Sequence, residues 1–312
     1  LAAFLLASGC TNTAHNLTDK TETDYEPRVN PIDIVRPDAP ELAAMGSYKT
    51  GVTALELIST DRLDVANASE KIVPKYDRKL MVEVWYPAEE DISNEAARST
   101  RVMTRDGETE AVLYGTAVRN AKPKYSEQRF PLIILSHGYT GNRFLMSHFG
   151  ENVASKGFVV ASIDHQESTY RNQGAFVSTL LHRGLDQLFV VDQLAQLSDS
   201  ESNRFSGLID AENTGIIGYS MGGYGAINAV GGGLSDRVTQ LEFGTPAQMN
   251  VLAKRQLSNP NYMATLDPRI KAVIAIAPWG NQNGLWDTAG LANIDIPIMV
   301  IGGSVDDVAD YQ

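Results

Sequence analysis

Apolar positions along the chain fall into short runs of strand length, separated by stretches of helical spacing and by polar loops. Some runs alternate apolar with polar residues, which indicates a strand with one buried face. Others are continuously apolar, which indicates a strand covered on both faces. The predicted strands are residues 52–58, 80–86, 130–136, 157–164, 215–218, 270–277 and 296–301.

Helical spacing occupies most of the intervals between these runs, over residues 144–155, over residues 182–197, and directly after residue 220. Strands that alternate with helices imply right-handed crossovers, and therefore a mostly parallel sheet with helices on both faces. Two segments interrupt the alternation. We expect irregular local structure in residues 89–129 and an irregular insertion or helical excursion in residues 231–268.

The N-terminal residues differ in composition from this α/β domain, which we assign to residues 48–312. Residues 1–10 are apolar and close with small residues before Cys10, like a partial lipoprotein signal peptide whose cysteine is lipidated. The alternative is an apolar start to a first helix. Residues 11–47 are polar and rich in proline, which predicts a linker. We expect an exported monomer, either lipid-anchored to the bacterial cell envelope through Cys10 or secreted.

Composition excludes several classes of function. The net charge of −12 argues against a nucleic-acid surface, because binding phosphates needs clustered Lys and Arg. The histidines show no H-E-x-x-H spacing, and one cysteine cannot form a zinc site by itself. Gly231–Gly233 does not follow a strand and lacks the Lys-Ser/Thr of a phosphate-binding loop, so we interpret it as a flexible helix end. The sequence predicts no metal and no cofactor.

One motif carries clear chemistry. Gly218-Tyr219-Ser220-Met221-Gly222 matches G-x-S-x-G, the nucleophile elbow, in which a serine occupies a strained turn between a strand and a helix. The glycines let the backbones pass closely, and the positive end of the helix lies beneath the serine. We therefore predict that Ser220 is a nucleophile and that the backbone N–H of Met221 is one donor of an oxyanion hole.

The other predicted site residues lie at the ends of neighbouring strands. The loop His137-Gly138-Tyr139 follows the strand of residues 130–136, and we predict Tyr139 as the second oxyanion donor; a plain strand-ending turn is the alternative. The loop after residue 301 offers two adjacent acids, and we choose Asp306 over Asp307 as the residue that would orient a histidine. An acidic surface turn is the alternative interpretation.

The histidine of such a triad is missing from the expected position. Ser, acid and His follow one another in that order on this type of fold, whereas every histidine of the chain precedes Ser220: His15, His137, His148, His165 and His182. We predict a structural or surface role for these residues, with His182 at a helix start. We expect the catalytic histidine beyond residue 312, so that the fold would be C-terminally incomplete. An inactive homologue is the alternative.

Five separated stretches follow one another in the order found in one enzyme group: His137–Gly141, Ala154–Val160, Gly218–Gly223, Ala277–Trp279 and Asp306–Ala309. They resemble bacterial α/β-hydrolases of the cutinase and polyester hydrolase group. Residues 46–52 and 84–87, together with Arg183–Asp186, are also similar to platelet-activating-factor acetylhydrolases and predicted dienelactone hydrolases. Dienelactone hydrolases use a cysteine nucleophile, so the serine here disfavours lactone opening by that route.

This resemblance implies an α/β-hydrolase fold and a serine carboxylic-ester hydrolase that acts through an acyl-enzyme on short-chain or polymeric esters. It implies oxyanion donors at Tyr139 and Met221, and it places Trp279 beside the cleft as a substrate contact, with an ordinary core tryptophan as the alternative. Two other functions stay open. One is a different serine hydrolase, such as a phospholipid acetylhydrolase, thioesterase or peptidase. The other is an inactive envelope lipoprotein that serves as a binding module.

Overall fold

A computed structural model of the protein describes residues 35–90 and 99–309. Its strands are β1 (Lys49–Leu63), β2 (Lys75–Ala88), β3 (Ser99–Met103), β4 (Glu110–Tyr114), β5 (Val118–Arg119), β6 (Phe130–Ser136), β7 (Val159–Asp164), β8 (Ile209–Tyr219), β9 (Ile270–Ile276) and β10 (Ile298–Ile301). Its α-helices are α1 (Ser147–Ala154), α2 (Phe176–Asp199), α3 (Met221–Ala229), α4 (Pro246–Val251) and α5 (Thr288–Ala292).

Eight of the strands form one sheet, in the order β10-β9-β8-β6-β7-β2-β1-β5. All neighbours from β10 to β7 are parallel, whereas β2 pairs antiparallel with both β7 and β1. The predicted mostly parallel sheet is therefore confirmed. Because the carboxyl ends of parallel strands meet at one edge, the loops after β6, β7, β8, β9 and β10 converge there.

The sheet separates two apolar layers, as the period of two along its strands requires. Ile134 and Ile216 belong to a large cluster with α2 and α3, whereas their neighbours Leu135 and Ile217 belong to a smaller cluster with Met146 near α1. Helices thus cover both faces. This arrangement explains why β6 and β8 read as continuously apolar runs.

Helices α2 and α3 meet through glycine. A Cβ placed on Gly184 of α2 would lie 2.9 Å from the carbonyl oxygen of Gly225 in α3. No side chain fits at that distance unless the backbone moves, so the two helices approach as closely as their main chains allow. The contact brings the buried side of α2 directly against the helix that follows Ser220.

The structure corrects the predicted start of α2. The helix begins at Phe176 and not near residue 182, so His182 lies in its second turn and not at a helix start. Residues 176–181 contain β-branched and hydroxyl residues, and the N-cap residue Ala175 provides no side-chain cap. The usual sequence signals of a helix start are therefore absent, and packing against the sheet and α3 determines the helix.

Both interrupting segments contain regular elements. In residues 99–119, β3 and β4 form a separate two-stranded sheet and β5 pairs with β1. The segment between α3 and β9 contains α4 and several 3₁₀ turns. Thr245 begins α4 with a capping box, in which its hydroxyl accepts from the Gln248 amide and the Gln248 side chain bonds the Thr245 amide.

The described end of the predicted linker lies against the domain. The amide of Gly46 donates to Ser155 Oγ at 2.7 Å, and Asn152 Nδ2 donates to the carbonyl of Ala43 at 3.0 Å. The predicted signal segment of residues 1–10, with Cys10, lies outside the described residues. Within residues 35–90 and 99–309, no helix has the length and apolar character needed to cross a membrane.

The close contact of α2 with α3 gives a test of the packing. We expect Gly184→Val to lower the free energy of unfolding by about 2 kcal/mol or more, because the new side chain meets backbone atoms of α3. The matched control is Gln196→Val on the exposed side of the same helix. That change should cost only about 0.5 kcal/mol, from helix propensity. Equal losses in urea unfolding for the two variants would contradict this contact.

Candidate active site

Ser220 lies between β8 and α3 with a positive φ of 52° and a ψ of −113°, a backbone conformation that residues other than glycine rarely adopt. The neighbouring glycines are sterically required. A Cβ on Gly218 would lie 2.2 Å from the Gly222 carbonyl oxygen, and one on Gly222 would lie 1.9 Å from the carbonyl oxygen of Ser136. The Ser220 hydroxyl does not cap α3. This is the geometry that a nucleophile elbow needs, because the strained turn holds the hydroxyl away from the backbone.

The two predicted oxyanion donors lie on either side of this turn. Met221 is the first residue of α3, where a backbone N–H has no acceptor within the helix. On the other side, a Cβ on Gly138 would be 3.3 Å from Ser220 Cβ, so the loop after β6 passes directly beside the serine. Tyr139 follows in that loop and is 38% exposed. The structure thus brings Tyr139 and Met221 to the same place as Ser220.

The loop after β9 is also held against the elbow. Ser220 N–H donates to the Ile276 carbonyl at 2.8 Å, and Trp279 N–H donates to the Ser220 carbonyl at 3.2 Å. Ala277 takes a positive φ of 44° between them. These bonds place the half-buried Trp279 next to the candidate nucleophile, as its predicted role as a substrate contact requires.

Two further aromatic residues line this place, and the sequence alone did not identify them. Phe176, at the start of α2, lies 5.2 Å from the Tyr139 ring and 5.3 Å from the Trp279 ring, measured between ring centroids. Phe243 lies 5.6 Å from Phe176 and 5.7 Å from Trp279. We call these four residues the aromatic cluster. Its members come from four distant segments, so no local sequence pattern predicts the cluster. The sequence gives one hint, an aromatic residue at Phe243 in a mostly polar stretch.

The two candidate acids after β10 differ in their environments. Oδ1 of Asp306 accepts hydrogen bonds from the amides of Val308 at 3.0 Å and Ala309 at 2.9 Å, and these bonds hold the pKa of Asp306 below its ordinary value. Asp307 is exposed. The carboxylate of Asp306 is therefore oriented by the backbone, which favours it over Asp307 as the acid.

A serine, a histidine and an aspartate also meet elsewhere, beneath the loop after β6. Ser136 Oγ lies 2.8 Å from His165 Nε2, and His165 Nδ1 lies 3.0 Å from Asp186 Oδ2. The connectivity is that of a catalytic triad, but no more than 1% of any of the three residues is exposed. A substrate cannot reach this serine. We call Ser136, His165 and Asp186 the buried triad and assign it a structural role.

Arg78 of β2 binds the aspartate of the buried triad. Its Nε and Nη2 each donate to Asp186 at 2.9 Å, and its other donors bind Tyr76, Glu167 and the carbonyl of Gln166. Burial alone would raise the pKa of Asp186, but the Arg78 charge, together with hydrogen bonds from His165 and Arg78, holds it well below its ordinary value. The ionised carboxylate therefore fixes His165 as an Nδ1–H donor, with Nε2 left to accept from Ser136.

Three histidines are engaged away from Ser220. Burial, followed by the Arg183 charge, lowers the pKa of His165 to about 3, and burial with the Arg78 charge does the same for His182. His182 donates from Nε2 to the Leu63 carbonyl at 2.9 Å. Burial also lowers the pKa of His137, whose carbonyl accepts from Arg183 Nη1 at 2.7 Å. His165 directly follows β7 and is buried, which agrees with the predicted structural role.

The described residues contain no group of three or more His, Cys, Asp and Glu side chains that could hold a metal ion. The chemistry that the arrangement offers is nucleophilic attack by Ser220, with backbone amides and the helix end available to stabilise negative charge.

Comparison with known proteins agrees with this geometry. Residues 93–236 match the model of the PETase family, described as PET hydrolase-like. Cutinase est1 of Thermobifida alba is 28% identical over 177 residues, which is 57% of this chain and 43% of that protein. Platelet-activating factor acetylhydrolase of Cavia porcellus is 28% identical over 127 residues, covering 40% of this chain and 28% of that protein.

The chain is similar to the cutinase and polyester hydrolase group. The matched region spans less than half of the length of these relatives. Among solved structures, a ferulic acid esterase from Streptomyces cinnamoneus superposes with a TM-score of 0.52 at 21% identity, covering 84% of this chain and 67% of that one. The predicted α/β-hydrolase fold is confirmed by this likeness and by the sheet.

The buried histidines predict a pH-dependent stability. Because His165 and His182 have pKa values of about 3 when folded and about 6.5 when unfolded, the unfolded chain binds more protons between these values. The free energy of unfolding should be constant above about pH 6.5 and fall below it, by up to about 1.4 kcal/mol per pH unit for each histidine. Asp186 contributes stability that is lost only below its unfolded pKa of about 3.9.

Urea unfolding at pH 7.5 and pH 5.0 measures this effect. In His182→Gln the free energy of unfolding should decrease less between pH 7.5 and pH 5.0, by the contribution of one histidine. This expectation does not depend on the variant's stability at pH 7.5. Equal free energies of unfolding for the native chain at the two pH values would show that these rings are not buried in the neutral form.

Proposed function

We propose that the protein is a serine carboxylic-ester hydrolase that works through an acyl-enzyme. The observation that carries the proposal is the strained turn at Ser220, whose flanking glycines admit no side chain. Such strain is maintained at functional sites, and the hydroxyl of Ser220 is not used to cap the helix. The similarity to cutinases supports ester hydrolysis as the reaction class.

In the proposed mechanism Ser220 Oγ attacks the ester carbonyl carbon and gives its proton to a histidine. The carbonyl oxygen becomes an oxyanion that accepts hydrogen bonds from the amides of Tyr139 and Met221. Collapse of this intermediate expels the alcohol, which takes the proton from the histidine, and water then hydrolyses the acyl-enzyme by the same steps. Each oxyanion donor is worth roughly 3–4 kcal/mol to such a transition state.

We propose that the histidine stands beyond residue 312 and that Asp306 orients it. Three observations support this assignment. The fold places the histidine after the acid in the chain. The rings of His137, His165 and His182 are bonded to other partners, namely the Gly138 carbonyl, Asp186 and the Leu63 carbonyl. The Asp306 carboxylate follows β10 and is already oriented by backbone amides.

A phospholipid acetylhydrolase is the second candidate, supported by the similarity to the Cavia porcellus enzyme. Both functions use the same Ser220 chemistry and differ in the alcohol that leaves. Parallel assays on a short p-nitrophenyl ester and on an acetylated phospholipid distinguish them, since only an acetylhydrolase should favour the phospholipid.

The nucleophile is tested by Ser220→Ala in the protein expressed from its complete gene. Hydrolysis of p-nitrophenyl acetate should fall by roughly 10⁴-fold or more, because the remaining groups only stabilise an oxyanion that is no longer formed on the enzyme. The comparison is Ser136→Ala, which removes the hydroxyl of the buried triad. It can reach the site only indirectly, through the loop after β6, and should lower kcat by no more than about tenfold. The opposite pattern, with activity lost in Ser136→Ala and kept in Ser220→Ala, would refute the assignment.

The acid is tested by two neighbouring substitutions that remove the same charge. Asp306→Asn should lower kcat by roughly 10³-fold or more, because the histidine loses its orientation and the stabilisation of its charged form. Asp307→Asn should change kcat by less than about threefold, since an exposed carboxylate interacts weakly. The assignment of Asp306 would be wrong if Asp307→Asn had the larger effect in steady-state kinetics.

A further inference from the structure

The aromatic cluster packs beside the loops that flank Ser220. Tyr139 and Trp279 belong to the two loops that flank Ser220, after β6 and β9. Phe176 contacts both rings and is nearly perpendicular to each, with interplanar angles of 81° and 89°. The phenyl ring of Phe176 therefore packs against both of these rings at once. Phe243 supports it from behind and also contacts Trp279.

The position of Phe176 is fixed on both sides. Glu167 accepts a hydrogen bond from the Ser178 hydroxyl, and its carbonyl accepts from the Gly174 amide at 3.0 Å. Its carboxylate is also bonded by Arg78 at 3.2 Å. The residues before and after Phe176 are thus tied to one residue, Glu167, through its carbonyl and its carboxylate, and the carboxylate is also bonded by the buried arginine.

Phe243 is fixed by the segment between α3 and β9. A Cβ on the next residue, Gly244, would lie 2.6 Å from Val177 Cγ2, so the chain at this point is pressed onto the first turn of α2. The capping box of Thr245 and Gln248 follows at once and begins α4. We call the rings of Phe176 and Phe243 the wall, and the contacts of their neighbouring segments hold both rings in place.

The wall lies on the acyl side of the site, given the mechanism proposed above. The alcohol leaves toward the histidine that protonates it, and Asp306, which orients that histidine, follows β10 at one end of the sheet. The acyl group points away from β10. Phe176 begins α2 after β7, across the Ser220 strand from β10. Its ring contacts Tyr139, the proposed oxyanion donor after β6, and reaches Trp279 after β9.

We propose that Phe176, supported by Phe243, fills the acyl pocket between Tyr139 and Trp279, so that the enzyme accepts short aliphatic acyl groups and excludes aromatic ones. A flat aryl group needs the space between these two rings, and the protein's own phenyl ring already takes it. This inference rests on the proposed function, because it concerns the same acyl-enzyme. It makes Phe176 a specificity-determining residue for esters of short aliphatic acids.

The test compares p-nitrophenyl acetate with p-nitrophenyl benzoate in the protein expressed from its complete gene. The native enzyme should prefer the acetate. In Phe176→Ala the ratio of kcat/KM for benzoate to that for acetate should rise roughly tenfold or more, because a pocket of ring size opens. Phe243→Ala should raise the ratio by a smaller factor. The control is Phe149→Ala, an exposed phenylalanine on α1, which should leave the ratio unchanged.

Several results would overturn the inference. A native enzyme that hydrolyses benzoate as well as acetate would show that the pocket is open, and a ratio that falls or stays constant in Phe176→Ala would show that the ring binds substrate or is remote from it. Phe176→Leu, which removes the planar ring but keeps much of its volume, gives a smaller rise and serves if the alanine variant does not fold. Acetate hydrolysis that survives Ser220→Ala would instead refute the proposed function.

Discussion

The carboxylate of Asp186 is the interaction on which the rest of this structure depends. It is fully buried on α2, receives two hydrogen bonds from Arg78 of β2, and binds His165 directly after β7. Desolvating such charges costs several kcal/mol per ion, and removing one partner leaves the other uncompensated. Once formed, the pair therefore ties α2, β2 and the loop after β7 into one arrangement. The donors of Arg78 that do not bind Asp186 order that same loop through Gln166 and Glu167.

The buried residues around Asp186 also determine the geometry of the candidate active site. His165 holds the hydroxyl of Ser136 at the end of β6, and Arg183, one turn before Asp186, holds the carbonyl of His137. These two contacts set the start of the loop that passes beside Ser220. The carbonyl of Ser136 also lies where only the hydrogen of Gly222 fits. Buried groups thus determine where the proposed oxyanion donors stand relative to the proposed nucleophile.

Sequence reasoning worked where a pattern is local and failed where it is not. The apolar run of β6 and the G-x-S-x-G motif are local, and they predicted the strand and the placement of Ser220 correctly. The β3–β4 hairpin was missed because its strands are only five residues long and none of their residues is buried. The first turn of α2 was missed because it lacks a cap. The buried triad, its partner Arg78 and the aromatic cluster join residues that are far apart in the chain, such as Arg78 and Asp186. Their meeting depends on the fold, and no spacing rule predicts it.

The most direct measurement is the site of covalent modification by a serine-reactive organophosphate, read by mass spectrometry after trypsin digestion of the protein expressed from its complete gene. The two serines under comparison fall in separate tryptic peptides, residues 205–237 for Ser220 and residues 130–143 for Ser136. The account predicts one phosphoryl group for each protein molecule, on the peptide that contains Ser220 and on that serine within it. Phosphorylation of Ser136, or of any other serine while Ser220 stays unmodified, would contradict it.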